Sequence, residues 1–187
     1  MPQNRSGWVL AGGRSTRMGA DKALLDLGAG PLAARIAALV GRTCGMVTLV
    51  GNPELYSKLG FPVIPDNTPG LGPLAGIEAA LAASKSEWNL IVACDMPSLL
   101  PSIFEVLFTE AALGDCALPR HQDGRVEPLC AVYNRRCHPV IRAALDSGVR
   151  KVTDGLRGLA VRYVLTDSDD VFANLNTPGD VRKFSDG

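Results

Sequence analysis

The sequence predicts a three-layer α/β fold with a mostly parallel sheet and one antiparallel strand, and three observations support this prediction. Short apolar runs alternate with segments of helical periodicity along the 187 residues, which is typical of strands joined by helices. The segment Asn89–Met96 contains an unbroken apolar run, as in a central parallel strand. Asp123 and Gly124 lie between two further apolar runs, which indicates a β-hairpin and hence one antiparallel strand.

Length and composition favour one domain covering residues 1–187, with enough chain to build a sizeable core. Hydrophobic residues make up 47% of the sequence, and 19 lysines and arginines balance 19 aspartates and glutamates. A formal net charge of zero gives no general attraction to nucleic acid or to an anionic membrane, so neither is an expected partner. Because no apolar run reaches transmembrane length and the first residues are polar, we expect a cytoplasmic protein.

Cysteine and histidine do not suggest a metal or disulfide framework. The five cysteines are odd in number and lack Cys-x-x-Cys spacing, so we expect buried thiols. His121 and His138, the only histidines, lack metal-ligand spacing and the setting of a catalytic triad. Any anion binding is therefore expected from local clusters of glycines and cations.

The first third of the chain predicts two strands with a helix between them. Gly7–Ala11 is apolar and predicts the first strand, and the glycines of Gly12–Asp21 are typical of a loop. Lys22–Leu27 predicts a short extended piece. A helix with Pro31 in its first turn follows, and Cys44–Val50 predicts a buried strand.

The middle of the chain predicts short elements around a shaped loop. Glu54–Leu59 predicts a short helix closed by Gly60, and Pro62–Pro65 predicts an extended segment. The glycines and prolines of Asp66–Gly76 are too dense for regular structure. An alanine-rich helix, from Leu74 to about Ala83, follows this loop.

The last part of the chain completes the α/β pattern. Pro101–Leu113 predicts a helix, and Asp115–Pro119 with Pro128–Asn134 predicts the hairpin strands. Arg136–Ser147 has helical periodicity, and Val161–Leu165 predicts a strand.

The loop after the first strand has the composition of a phosphate-binding turn. Gly12 and Gly13 lack Cβ atoms, so the backbone can approach an anion closely and direct its N–H groups toward it. Arg14, Arg17 and Lys22 add full positive charges. An ordinary strand-to-helix turn with solvated cations is the alternative interpretation. The spacing matches neither the P-loop nor the dinucleotide-binding fingerprint.

Leu10–Ala23 resembles the signature of the molybdenum cofactor guanylyltransferases, a family of pyrophosphorylase-like nucleotidyltransferases. The segment follows the family pattern Leu-Ala-Gly-Gly-x-Ser-x-Arg-Met-Gly-x-Asp-Lys-Ala nearly residue for residue. The resemblance implies a Rossmann-like nucleotidyltransferase fold. It also implies that Lys22 and Arg17 stabilise charge on a triphosphate or leaving group. The residues of this segment that it assigns to GTP are Leu10, Ala11, Gly12, Gly13 and Lys22.

Asp66 begins the shaped loop, which composition alone would describe as a plain connection. The family carries a similar aspartate followed by Gly-Pro-Leu-Ala-Gly, and its loop lies near the nucleoside. The resemblance therefore implies that Asp66 binds GTP, and it suggests a contribution from Asn52 to the base.

Asp95 is expected at the carboxyl end of the central strand, where open α/β sheets bind ligands. A carboxylate there is a hard oxygen ligand suited to Mg²⁺ that is also bound by substrate phosphates. The alternative interpretation is a cap for the next helix, a role that Ser98 could also fill. The resemblance implies that Asp95 holds magnesium, binds GTP and is essential for catalysis.

The segment Phe172–Asp180 contains two asparagines, Asn174 and Asn176, whose alternation places both amides on one side of an extended piece. Helix capping explains Thr177 with the following proline but does not explain the paired asparagines. The family has Asn-x-Asn-Thr-Pro here, and the resemblance assigns the asparagines to the pterin phosphate. The cations assigned to the same side are Arg150 and Lys151, for which solvated surface charge is the alternative.

The reaction implied by the resemblance transfers GMP from GTP to molybdopterin in the molybdenum cofactor, with Mg²⁺ as cofactor and pyrophosphate as by-product. Further partners would be other cofactor-biosynthesis proteins and acceptor molybdoenzymes. A cytidylyltransferase for the same pterin and a sugar-phosphate nucleotidyltransferase remain alternatives. A non-catalytic carrier that binds nucleotide or pterin is the more distant one.

Overall fold

The computed structural model describes residues 4–12, 21–28, 30–68, 70–166, 170–177 and 179–181. Seven strands pair into one sheet within these ranges. The strands are β1 (Arg5–Leu10), β2 (Val47–Val50), β3 (Val63–Ile64), β4 (Trp88–Ala93), β5 (Cys116–Arg120), β6 (Cys130–Asn134) and β7 (Val161–Leu165).

The sheet order is β3-β2-β1-β4-β6-β5-β7. β6 runs antiparallel to β4 and β5, and every other pair of neighbouring strands is parallel. The sequence prediction of a mostly parallel sheet with one antiparallel strand is therefore confirmed. The hairpin between β5 and β6 supplies that strand, and its register pairs Cys116 with Tyr133.

Helices connect the strands and cover both faces of the sheet. The six α-helices within the described ranges are α1 (Leu32–Cys44), α2 (Pro53–Tyr56), α3 (Pro73–Ala83), α4 (Pro101–Ala111), α5 (His138–Asp146) and α6 (Val152–Gly155). One hydrophobic cluster joins α1 and α4 to side chains such as Val9 of β1. The other joins α3, α5 and α6 to Trp8 and Leu10 of the same strand. Because neighbouring residues of a strand point to opposite faces, these clusters define three layers.

Several predicted element boundaries are wrong, for local reasons. Cys44 ends α1 instead of starting a strand, because Gly45 leaves the helix with a φ of 76°. Lys22–Leu24 forms a 3₁₀ turn instead of an extended piece, and the Asp21 side chain accepts from the Ala23 N–H at 3.0 Å. Pro31 is the N-cap of α1 instead of lying in its first turn.

The shaped loop ends earlier than its composition indicates. Gly72 adopts a φ of 84° immediately before α3, which then begins at Pro73. This φ favours glycine because it lacks the Cβ that makes the left-handed region unfavourable. Among the described helices, none is long and apolar enough to cross a membrane.

Candidate active site

The glycine-rich loop and the turn that carries Asp95 begin side by side at the carboxyl edge of the sheet. β1 and β4 are parallel neighbours, and their register pairs Leu10 with Ala93. The N–H of Cys94 donates to the Leu10 carbonyl at 3.2 Å. Open α/β sheets bind ligands beyond this edge. The topology therefore brings the two segments to one crevice.

Lys22 and Asp95 meet across that crevice. The Lys22 Nζ lies 3.6 Å from the Asp95 Oδ2, and the two side chains are 18% and 23% exposed. The same Nζ donates a hydrogen bond of 2.7 Å to the Asn176 Oδ1. A single ammonium group thus contacts one residue from each of two other predicted site segments. The shared crevice that the sequence hypothesis requires is present, while the roles of these residues stay predictions.

The Asp95 carboxyl is held in an environment that disfavours its negative charge. Burial raises the pKa of Asp95 above its usual value, although the Lys22 ammonium and a backbone hydrogen bond lower it in opposition. The lysine therefore compensates only partly for the lost hydration. A further cation bound against this carboxylate would be electrostatically favourable.

The oxygen chemistry of Asp95 fits Mg²⁺, which prefers hard oxygen ligands. No group of three or more histidine, cysteine, aspartate or glutamate side chains suited to a metal occurs in the described part of the chain. Mg²⁺ in nucleotide sites is commonly held by one or two carboxylates together with substrate phosphates. One partly exposed carboxylate beside this crevice is thus compatible with that ion.

Tyr56 of α2 supports the start of the glycine-rich loop, a function that the sequence did not suggest. Its buried hydroxyl lies 2.9 Å from the Ala11 carbonyl and 2.6 Å from the Asp21 Oδ2, and its single proton can serve one acceptor at a time. Burial, together with the hydrogen bond to Asp21, raises the pKa of Tyr56 above its ordinary value. A Cβ on Gly51 would lie 2.6 Å from the tyrosine ring and 3.2 Å from the Gly12 nitrogen. Only glycine therefore allows this close approach.

A cavity of about 780 Å³ opens at the same edge of the sheet. Its wall includes Asp95 and all four residues that the resemblance assigns to the pterin, which are Asn174, Asn176, Arg150 and Lys151. Arg125, Glu127 and Thr153 also line it. A second cavity, of about 680 Å³, is lined by residues such as Ser6, Met46 and Ser86 and contains none of the predicted site residues.

The asparagine segment is fixed to the turn that carries Asp95. The N–H of Leu175 donates to the Asp95 carbonyl at 2.9 Å. At its other end the N–H groups of Asn176 and Thr177 donate to the Asp180 Oδ2, at 2.9 and 2.7 Å. The Thr177 hydroxyl oxygen accepts from the Asp180 N–H at 3.2 Å, which is helix capping as expected. The capping residues are thus separate from the asparagines that line the cavity.

Arg150 and Lys151 differ in their surroundings. The Arg150 Nη1 donates to the carbonyls of Leu145 and Val149, at 3.1 and 2.9 Å, at the end of α5. Lys151 is exposed and immediately precedes α6. Arg150 therefore contributes to the local structure, whereas Lys151 is better placed to meet an anion.

Asp66 and Asn52 follow β3 and β2 at the carboxyl edge of the sheet, but neither is part of the cavity wall described above. The Asp66 Oδ1 accepts from the Thr68 N–H at 3.0 Å and shapes the loop. The Asn52 Oδ1 accepts from the Glu54 N–H at 2.9 Å and caps α2. Their expected contacts with the nucleoside and base stay predictions.

Two predicted residues, Gly13 and Arg17, lie outside the described residues, as does Arg14. Leu10, Ala11 and Gly12 are described, and Gly12 is exposed at the crevice end of β1.

His121 and Glu127 form a pair that sequence reasoning missed. The His121 Nε2 lies 2.7 Å from the Glu127 Oε1, and the histidine is 2% exposed. The His121 ring also packs against the Phe172 ring in a T-shaped arrangement, with a centroid distance of 5.5 Å. The pair therefore joins the hairpin loop to the segment preceding Asn174. No local pattern in the sequence marks such a contact.

The fold and the crevice define the class of a nucleotidyltransferase. The family model described as MobA-like NTP transferase domain matches residues 7–161. The chain belongs to this family.

Individual relatives agree with this assignment. A probable molybdenum cofactor guanylyltransferase of Pelotomaculum thermopropionicum is 38% identical, over 95% of this chain and 90% of that relative. The crystal structure of molybdopterin-guanine dinucleotide biosynthesis protein A from Archaeoglobus fulgidus is similar, with a TM-score of 0.82, 28% identity and 97% of each chain covered. The 2-C-methyl-D-erythritol 4-phosphate cytidylyltransferase of Thermus thermophilus shares the fold, with a TM-score of 0.74, 15% identity and 96% of each chain covered.

Proposed function

We propose that this nucleotidyltransferase transfers GMP from GTP to the terminal phosphate of molybdopterin in the molybdenum cofactor. The products would be the guanine dinucleotide form of the cofactor and pyrophosphate. The names of the relatives support this substrate choice. The structural observation that carries the proposal is the contact of Lys22 with both Asp95 and Asn176.

An acceptor phosphate oxygen would attack the α-phosphorus of GTP, and the bond from that phosphorus to the bridging oxygen of pyrophosphate would break. Both reactants are anionic, so the protein must align them and offset their charge instead of supplying a nucleophile. Lys22 would stabilise negative charge as it develops on the triphosphate, and its contact with the Asp95 carboxylate supports this role. The backbone of Leu10, Ala11 and Gly12 would bind the nucleotide, together with Gly13 and Arg17 by resemblance.

Asp95 is the residue that would hold Mg²⁺. When bound, the ion would neutralise phosphate oxygens and so reduce the repulsion between the two anions. Asp66 would orient the nucleoside, with a contribution from Asn52. Asn174 and Lys151 would receive the pterin phosphate at the cavity described above, beside Arg150.

The acceptor cavity suits a phosphorylated pterin better than a protein surface. About 780 Å³ is within the usual range of small-molecule sites. Its wall combines two amides and three arginine or lysine side chains with the carboxylates of Asp95 and Glu127, so cations outnumber anions, which is suited to an anion with polar substituents. We propose that residues 1–187 act as one domain, and that cofactor-biosynthesis proteins and acceptor molybdoenzymes are partners.

A pyrophosphate-release assay with GTP, CTP and ATP tests the proposal. Each nucleotide is supplied with molybdenum-bound molybdopterin and Mg²⁺, and the same reactions are repeated with a sugar phosphate as acceptor. The expected result is Mg²⁺-dependent release with GTP and the pterin only. Preference for CTP would identify a cytidylyltransferase, and release with the sugar phosphate would identify a different acceptor class.

Tight GTP binding without pyrophosphate release would favour a carrier and contradict the proposed reaction. Mass spectrometry of the pterin product provides the control, because it distinguishes transfer to the acceptor from simple hydrolysis of GTP.

A further inference from the structure

Glu78 is a buried carboxylate in the middle of α3, and the reaction described above does not use it. The residue is 2% exposed. It is the only charged residue of a helix whose other buried positions are apolar or glycine. Burial of a carboxylate is unfavourable unless hydrogen bonds or opposite charges compensate. The contacts that Glu78 makes are therefore informative.

The two carboxylate oxygens of Glu78 contact different parts of the molecule. Its Oε2 accepts a hydrogen bond of 3.2 Å from the Asn67 Nδ2 in the shaped loop. Its Oε1 lies 2.8 Å from the His138 Nε2 and 3.8 Å from the Arg142 Nη1, both in α5. Glu78 thus links the loop that carries Asp66 to the helix α5.

Asn67 belongs to the same turn as Asp66, so the contact between Asn67 and Glu78 affects that turn. Asn67 follows Asp66 directly, and the Asp66 Oδ1 accepts from the N–H of Thr68, so the three residues form one turn. Asn67 itself is exposed, and its amide reaches inward to Glu78. The hydrogen bond therefore fixes the turn to α3 and limits where the Asp66 carboxylate can lie.

We propose that Glu78 is a positioning residue that holds the Asp66–Thr68 turn ready to bind the nucleoside. The inference rests on the proposed function, because it takes the Asp66 turn as the nucleoside-binding element. An apolar side chain at position 78 needs no partners, and the groups that it leaves, on Asn67, His138 and Arg142, are exposed or partly exposed and stay hydrated. The link thus adds little to stability, and its contribution is to the geometry of the loop.

Nucleotide binding to the full chain, measured by calorimetry, tests the inference. Glu78→Met should raise the Kd for GTP about tenfold, as expected for the loss of one ordering hydrogen bond. Because Glu78 does not touch reacting atoms, kcat and the KM for the acceptor should stay within about twofold. Glu78→Gln keeps hydrogen-bonding groups at both ends and should restore most of the affinity.

Asn67→Ala removes the same hydrogen bond from its exposed partner and leaves the contacts of Glu78 with His138 and Arg142 in place. This variant should raise the Kd for GTP as Glu78→Met does, and the double variant should be no worse than either single one. Ser6→Ala provides the matched control, since it breaks a buried hydrogen bond of 2.8 Å to Ser86, outside the nucleotide crevice. The control should leave the Kd unchanged.

Wild-type affinity in Glu78→Met and Asn67→Ala would overturn the positioning role and leave the guanylyltransfer proposal intact. An equal loss in Glu78→Gln and Glu78→Met, or a fall in kcat with an unchanged Kd, would also overturn it. If the wild type binds CTP or ATP in place of GTP, the guanylyl proposal fails, and the same variants test the inference with that nucleotide. If the wild type binds none of the three, both fail.

Discussion

The two sides of the crevice are built in different ways. The proposed nucleotide side, called the nucleotide side below, consists of Leu10–Gly12, Lys22 and the Asp66–Thr68 turn. The proposed acceptor side, called the acceptor side below, consists of residues 124–129, 150–153 and 174–176. Glycines bring backbone segments together on the nucleotide side, as where Gly12 meets Gly51. On the acceptor side, three segments that are distant in the chain each contribute separate side chains to one cavity wall.

The nucleotide side therefore depends mainly on a contiguous stretch of sequence. The acceptor side depends on how the fold brings distant segments together. Close backbone approach needs glycines at fixed positions, so it leaves a contiguous motif in the sequence. A wall of side chains from separate loops leaves only short separate patterns, such as the one that contains Asn174 and Asn176. Asp95 belongs to both sides, because Lys22 approaches its carboxylate and the Leu175 N–H bonds its carbonyl.

The largest effect is expected where the two sides meet. Asp95→Ala should abolish turnover, a loss of at least about a thousandfold, since it removes the carboxylate placed for the metal. Pyrophosphate release at saturating substrate measures this loss. Glu105→Ala is the control, because Glu105 is an exposed carboxylate of α4 that contacts Arg5 outside the crevice. Normal turnover in Asp95→Ala would show that the two sides do not meet through this residue.

The next effect belongs to the nucleotide side. Lys22→Ala should lower kcat on the order of a hundredfold, as for the loss of one preorganised charge-stabilising group. The exposed Lys85 lies outside the crevice, so Lys85→Ala controls for the loss of a positive charge. A Lys22→Ala variant that turns over GTP normally with the pterin acceptor would exclude this lysine from catalysis.

The Asn176→Ala variant distinguishes an effect on the nucleotide side from an effect on the acceptor side. Asn176 lines the acceptor cavity and also binds Lys22. If it orients the lysine, kcat should fall about tenfold, which corresponds to one lost charge-assisted hydrogen bond. Steady-state kinetics with both substrates measures this. A rise in the acceptor KM with unchanged kcat would instead confine Asn176 to the acceptor side.

Arg150 and Lys151 are neighbours on the acceptor side, and we expect their substitutions to have different effects. Lys151→Ala should raise the acceptor KM about threefold to fivefold, as expected for a partly solvated cation near a phosphate. Arg150→Ala should instead lower stability by about 1 kcal/mol, because its guanidinium donates to the Leu145 carbonyl near the end of α5. Chemical denaturation and acceptor kinetics of both variants are the measurements. A loss of stability in Lys151→Ala together with a raised acceptor KM in Arg150→Ala would contradict these roles.

The smallest effect is on stability and comes from the raised pKa of Asp95. A carboxyl whose pKa is raised by folding favours the folded state most at low pH, and this contribution is lost as the pH rises above about 4. The Asp95→Asn variant carries no ionisable carboxyl at this position and so does not lose stability in this way. The Tm of this variant at neutral pH should equal or slightly exceed that of the wild type. Thermal unfolding between pH 4 and 8 checks this, and a lower Tm at neutral pH would contradict it.

Much of the fold follows from local patterns in the sequence. The run Val161–Leu165 forms β7 at the predicted bounds, and the Asp-Gly signal correctly indicates the hairpin of β5 and β6. The contacts around the site could not be predicted in this way. Lys22 and Asn176 are 154 positions apart, and Glu78 and His138 are 60 apart. Such pairs depend on how strands and helices are ordered, which periodicity does not encode.

Calorimetric titration of GTP into wild type and Asp95→Ala, each with and without Mg²⁺, tests the central claim most directly. If Lys22 and Asp95 hold a metal-bound triphosphate between them, Mg²⁺ should tighten GTP binding to the wild type and have no effect on Asp95→Ala. Equal tightening by Mg²⁺ in both proteins would contradict the account.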